Sequence, residues 1–140
     1  FEILDIDYFK QYNDRYGHQA GDDCVRAIAA LIRQMESDQI FCARYGGDEF
    51  VIIYSGMSAE EVCERAEKLR QDVMALQIEQ RYTEGAFGVT ISQGICHDIP
   101  SNGNKNWDFL HVADQTLYRV KRRGRNRLCM TDIHGREIEV

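Results

Sequence analysis

Apolar residues along this chain switch between a two-residue and a three-to-four-residue period, and the switches order its elements. Phe1 to Ile6 is apolar and β-prone and runs into the acidic pair Asp5 and Asp7, which predicts a strand carrying carboxylates at its C-terminal end. A polar, aromatic stretch follows. From Asp22 to Met35, the residues Val25, Ile28, Ala29, Ile32 and Met35 recur at helical steps, predicting a helix with one core-facing stripe. Ile40 to Tyr45 and Phe50 to Tyr54 are short β-prone runs joined through Gly46 and Gly47, a hairpin signature because glycine accepts positive φ. Asp48 and Glu49 flank the turn.

Ser58 followed by Glu61 resembles a capping box, with Val62, Ala66, Leu69 and Val73 continuing a helical stripe behind it. Val89, Ile91 and Ile95 alternate with Thr90, Ser92 and Gly94, as in a strand with one buried face. Residues 102–106 read as a loop, and Leu110, Ala113, Leu117 and Val120 mark a last helix that Gly124 suits as a cap. Leu128 to Ile133 reads as a closing strand. The predicted fold is α+β, a central, mostly antiparallel sheet with helices packed against it, of the split βαβ kind.

At 140 residues the chain fits a single domain spanning residues 1–140, with no repeat or internal linker. It begins at Phe1 rather than Met, directly in a strand pattern, which predicts a fragment of a longer multidomain protein. Hydrophobic residues at 44% and charged residues at 29% argue against disorder and against a membrane span. A formal charge of -6 argues against nucleic acid as a partner, since backbone binding runs on clustered Lys and Arg. The cysteines Cys24, Cys42, Cys63, Cys96 and Cys129 show no CxxC pair and no zinc-like spacing, so reduced, mostly buried thiols are expected.

If the first strand lies beside the hairpin, Asp5, Asp48 and Glu49 converge. Hard oxygen ligands on strand ends suit Mg²⁺ or Mn²⁺, and a site sharing two such ions stabilises both the attacking and the leaving oxygen of a phosphoryl transfer. Gly46 and Gly47 would let a ligand approach the backbone. Spacing alone fits equally an ordinary polar turn beside a solvated strand end.

Ordered blocks decide between those readings. Asp5-Ile6-Asp7-Tyr8-Phe9-Lys10, Asn13-Asp14, Gly17-His18, Gly21-Asp22, Arg44 to Phe50, Val89 to Ser92 with Gly94, Ala113-Asp114, Leu117-Tyr118, Lys121 and Gly124-Arg125-Asn126 together resemble the GGDEF family of diguanylate cyclases, in the family's order and over nearly the whole chain. The resemblance implies a ferredoxin-like, palm-type nucleotide cyclase fold. It implies an enzyme that joins two GTP into cyclic di-GMP with release of two pyrophosphates, each domain holding one GTP so that catalysis needs a homodimeric pair of GGDEF domains.

By the same resemblance, Asp5, the Ile6 carbonyl, Asp48 and Glu49 hold two Mg²⁺ or Mn²⁺ ions per active site. Glu49 and Asp48, with Lys10, form the catalytic set, and Glu49 helps to deprotonate the attacking 3′-hydroxyl unless the metal alone lowers its pKa. Lys10, the amides of Tyr8 and Phe9, Lys121 and Arg125 neutralise the triphosphate. Asn13 and Asp22 match the guanine-reading pair, a carboxylate on guanine's N1-H and exocyclic amine rejecting adenine.

Taken singly, these residues have structural roles as well. Lys121 and Arg125 suit a helix C-terminus, Asp22 an N-cap, Asn13-Asp14 a turn, and His18 a hydrogen-bonded packing position. The alternative reading of the whole is a catalytically silent module that binds GTP or cyclic di-GMP and relays that state to attached domains. A dimerising scaffold without nucleotide ranks last.

Two departures from the family pattern stand out. The segment before the first strand, with its Asp-x-Leu-Thr-Gly-Leu type block, is missing, so the chain is expected to be a GGDEF domain lacking that segment. The product-inhibition site, an Arg-x-x-Asp ahead of the hairpin, is replaced by Ser37 and Ile40. Such domains sit behind a sensor or receiver domain in the same parent chain and work in the cytoplasm, where GTP is, without membrane contact of their own, although the parent protein can be membrane-anchored.

Overall fold

The computed structural model describes residues 1–80 and 88–140. Its elements run β1 (Glu2–Ile6), α1 (Phe9–Tyr16), α2 (His18–Arg33), β2 (Ile40–Arg44), β3 (Glu49–Tyr54), α3 (Ala59–Ala75), β4 (Ile91–Cys96), α4 (Asn106–Arg122) and β5 (Leu128–Thr131). The five strands form one sheet in the order β2-β3-β1-β4-β5. β1 is central and pairs antiparallel with β3 and with β4, setting Asp5 opposite Glu49 on one side and Ser92 on the other. β2 and β3 form an antiparallel hairpin, while β5 joins β4 in parallel after the α4 crossover. The α+β sheet expected from the sequence is thus mixed only at one edge.

Helices cover both faces of β1, which is why every residue of it is buried. On one face Leu4, Ile6 and Ile52 pack with Ile28 and Ile32 of α2 and Leu69 and Val73 of α3. On the other, Ile3 and Val51 meet Phe109, Ala113 and Leu117 of α4. Burying the apolar stripes of these helices is the main source of the fold's stability, at roughly 25 cal/mol per Å² of apolar area removed from water. Inside the first layer lies a fully buried carboxylate, Glu2, which accepts from Tyr54 Oη (2.7 Å) and Gln93 Nε2 (3.0 Å).

Several expectations need correction. The polar stretch after Asp7 is a helix, α1, whose core-facing stripe is aromatic rather than aliphatic, with Tyr12 buried and Phe9 and Tyr16 half-buried against the core. Gly17, at φ 92°, separates it from α2. Because α2 starts at His18, Asp22 lies in its second turn and is not an N-cap, and His18 is exposed rather than packed. Gly46 and Gly47 do not use positive φ. β4 begins at Ile91, two residues later than expected, and β5 ends at Thr131. The Ser58–Glu61 capping box is present in both directions. Among the described residues no helix is long and apolar enough to cross a membrane. All five cysteines are free, and burial pushes the thiols of Cys24, Cys42 and Cys96 up to about 11, which suits unreactive packing residues.

Candidate active site

Cross-strand registry builds the site. Asp5, the last residue but one of β1, lies directly opposite Glu49 at the start of β3, and Asp48 precedes Glu49 in the hairpin. The Ile6 amide donates to the Asp48 carbonyl at 3.1 Å, extending the ladder past the strand end and holding the backbone of Ile6 against the hairpin. Carboxylate oxygens of Asp5, Asp48 and Glu49 therefore lie within 4.8 Å of one another. Burial raises the Asp48 carboxyl above its usual range and the charge of Asp5 raises it further, while Glu49 rises through burial and then the charges of Asp5 and Asp48. Like charges this close, partly removed from water, stay ionised together only if a cation joins them.

One cation is already there. Lys121 in the last turn of α4 donates to Asp5 Oδ2. The second oxygen, Asp5 Oδ1, is buried with no hydrogen-bond partner among the described residues. An orphaned buried carboxylate oxygen beside two further acids is an all-oxygen donor set of the hard kind that Mg²⁺ or Mn²⁺ prefers. The residues present fit such an ion.

The hairpin turn is fastened from below. Arg44 donates through Nε to the Gly46 carbonyl (3.1 Å) and through Nη2 to that of Gly47 (2.6 Å). A Cβ at Gly47 would meet nothing within 4 Å, and one at Gly46 only the Glu49 side chain in ordinary contact. Neither backbone strain nor crowding within the chain requires glycine at these two positions. Their open surface suits close approach by a ligand.

Tyr8 enters α1 in the left-handed conformation, φ 56°, and no side chain caps the helix. A helix start without a side-chain cap from its N-cap residue is the kind of place at which backbone amides receive anions. Arg125, itself left-handed at φ 62°, stacks its guanidinium 4.7 Å from the centre of the Tyr8 ring. Lys10 is exposed in the first turn of α1. Where α1 packs on α2, the Asn13 side chain lies on Gly21, where a Cβ would stand 1.7 Å from Asn13 Oδ1. That oxygen is buried and has no partner among the described residues, and Asp22, the residue after Gly21, is exposed. Asp5, Asp48, Glu49 and Lys121 thus form one group and Tyr8 and Arg125 a second, while Asn13 lies mid-way along α1 and Asp22 in the second turn of α2.

Asp7 has a role that its place as the second acid of a strand end did not suggest. Its carboxylate accepts from Thr90 Oγ1 (2.7 Å), Ser92 Oγ (2.6 Å) and the Asn126 amide (3.1 Å). The signal was available in the sequence only as the hydroxyls of Thr90 and Ser92 alternating with Val89 and Ile91, and β4 is buried on both faces rather than the one expected.

The family model described as "Diguanylate cyclase, GGDEF domain" matches residues 2–127. Diguanylate cyclase VdcA of Vibrio cholerae is 36% identical over 127 residues, covering 90% of this chain and 37% of the relative. Diguanylate cyclase A of Treponema denticola is 35% identical over 130 residues, covering 92% of this chain and 34% of the relative. The chain thus spans about a third of the length of these curated relatives. In structure it is similar to the GGDEF domain of DgcB from Caulobacter crescentus in complex with c-di-GMP, with a TM-score of 0.81 and 36% identity over 95% of this chain and 76% of that one.

Proposed function

This chain belongs to the GGDEF family of diguanylate cyclase domains, and from that premise we propose that it condenses two GTP into cyclic di-GMP, releasing two pyrophosphates. The observation that carries the reading is the convergence of Asp5, Asp48 and Glu49 around an unpartnered buried oxygen, next to a lysine and an uncapped helix start. Asp5, Asp48 and Glu49, with the Ile6 carbonyl at the same strand end, would hold the divalent ions, two per site. When bound, those ions supply charge neutralisation at the phosphoryl oxygens and a lowered pKa at the 3′-hydroxyl.

This chain's own residues do the rest. The amides of Tyr8 and Phe9 at the α1 N-terminus would donate to the triphosphate, and Lys10, Lys121 and Arg125 would balance its charge, which is how a protein of net charge -6 could accept a polyanion. Glu49, its carboxyl raised by burial and neighbouring acids, is the group placed to take the 3′-hydroxyl proton. Asn13 offers its orphaned Oδ1, and Asp22 its carboxylate, to the donor edge of guanine. One such site binds and activates one GTP; the second phosphodiester bond needs a facing copy, so the working unit is a pair of domains under the control of whatever sensor or receiver region shares the parent chain.

Incubating the purified chain at high concentration with GTP and Mg²⁺, beside an Asp48→Ala/Glu49→Ala control, and separating the nucleotides by chromatography tests this. Cyclic di-GMP from the native chain alone supports the assignment. GTP binding without product in any paired arrangement would instead favour the silent regulatory module.

A further inference from the structure

Arg125 reaches the Tyr8 ring from a loop that has no business being rigid. Gly124, Arg125 and Asn126 are three successive left-handed residues, at φ 114°, 62° and 46°, and two of them carry side chains. Left-handed non-glycine residues are held only where surrounding contacts over-determine them. Here two anchors grip Asn126 from opposite sides. Its amide donates to the Asp7 carboxylate (3.1 Å), and its side-chain and main-chain oxygens accept from Arg70 Nη1 of α3 at 2.9 and 3.3 Å.

Both anchors are themselves fixed. Asp7 is tied to β4 by Thr90 and Ser92, and Arg70 is tied through Nε to Glu67 (3.0 Å) within its helix. Asp7 is also the residue before Tyr8, so one carboxylate borders both walls of the triphosphate cleft: the turn into α1 and the loop bearing Arg125. Its oxygens face hydroxyl and amide donors, and it lies outside the acid cluster of Asp5, Asp48 and Glu49.

We infer that Asp7, Asn126 and Arg70 are positioning residues for the GTP triphosphate, which hold the 124–127 loop in the left-handed path that aims Arg125 across Tyr8. The inference rests on the proposed GTP reading. Arg70 stands on α3 and reaches the loop through Asn126, the residue after Arg125. One guanidinium nitrogen, Nη1, engages the main-chain and side-chain oxygens of Asn126 while Nε and Nη2 are held by Glu67, a division that a lysine with its single nitrogen cannot make.

The test is a binding cycle with 3′-deoxy-GTP, which lacks the attacking hydroxyl, and with guanosine, in the presence of Mg²⁺. Arg70→Met and Asn126→Gly are each expected to weaken 3′-deoxy-GTP by on the order of tenfold, the scale at which orienting partners act on a binding group, and to leave guanosine affinity unchanged. In an Arg125→Ala background the same changes should cost almost nothing more, because their effect passes through Arg125. Arg70→Lys should recover part of the loss. Equal weakening of guanosine, or losses additive with Arg125→Ala, would overturn the inference even if native GTP binding is intact. A native chain that binds no 3′-deoxy-GTP would overturn the GTP reading itself and this inference with it.

Discussion

Gly94 lies where β4 passes under α4, and replacing it with alanine would press a methyl group into the helix backbone. The added Cβ would stand 2.2 Å from the Leu117 amide nitrogen, 2.5 Å from the Ala113 carbonyl oxygen and 2.6 Å from the Leu117 Cα. None of these atoms can rotate aside as a side chain would, so relief requires moving α4 off the sheet by roughly 1 Å. Overpacking of this kind costs about 1–3 kcal/mol, and for a domain of this length that is a fall in Tm of roughly 3–15 °C. The displacement also draws Lys121 away from Asp5 and loosens the loop that follows α4. Urea and thermal unfolding followed by circular dichroism would measure the loss, with Gly103→Ala as the matched control because a Cβ there meets nothing within 4 Å. The control should stay within about 0.5 kcal/mol of the parent. Equal midpoints for Gly94→Ala and Gly103→Ala would refute the close-approach argument.

At Gly21 the obstructing atom is a side chain, Asn13 Oδ1 at 1.7 Å, so Gly21→Ala should fold but turn Asn13 away, weakening GTP about tenfold and narrowing its advantage over ATP; unchanged nucleotide preference in a calorimetric titration would count against the guanine assignment. Burial holds the Glu2 carboxyl above its usual range, against the lowering pull of Tyr54, Gln93 and the chain's terminal ammonium. Since its folded value exceeds its unfolded one, the folded state binds the extra proton, and the stability it contributes is complete below the unfolded carboxyl range and lost as pH rises through the folded value. Denaturant unfolding from mildly acidic to alkaline pH should therefore show a decline that Glu2→Gln flattens, and an identical slope in both proteins would dispose of the idea. With Ser37 and Ile40 where the inhibitory Arg-x-x-Asp would be, and only the near match Arg33-Gln34-Met35-Glu36 beside it, cyclic di-GMP should bind weakly at that place; tight product binding abolished by Arg33→Ala would overturn this.

Strands and long helices were legible because their periods are clean: the α2 stripe of Val25, Ile28 and Ile32 and the α3 stripe of Val62, Ala66, Leu69 and Val73 are buried as expected. α1 was not, because its buried contacts are the aromatic rings of Phe9, Tyr12 and Tyr16 among polar residues, a pattern that averages to polarity. The approach of Asp5 to Glu49 was readable only on the condition that β1 adjoins β3, a long-range pairing that local period cannot decide. Positive φ was expected at Gly46 and Gly47 but occurs instead at Tyr8, Arg125 and Asn126. Left-handed tyrosine and arginine have no compositional signature; tertiary anchors such as Asp7 impose them, and those anchors come from distant parts of the chain.

If the acid cluster works on GTP in a pair of domains, the rate of cyclic di-GMP formation depends steeply on protein concentration. With GTP and Mg²⁺ saturating, the initial rate should rise with about the square of protein concentration while pairing is incomplete, and Asp48→Ala/Glu49→Ala should give no product at any concentration. Product from that variant, or none from the native chain when pairing is enforced, would contradict it.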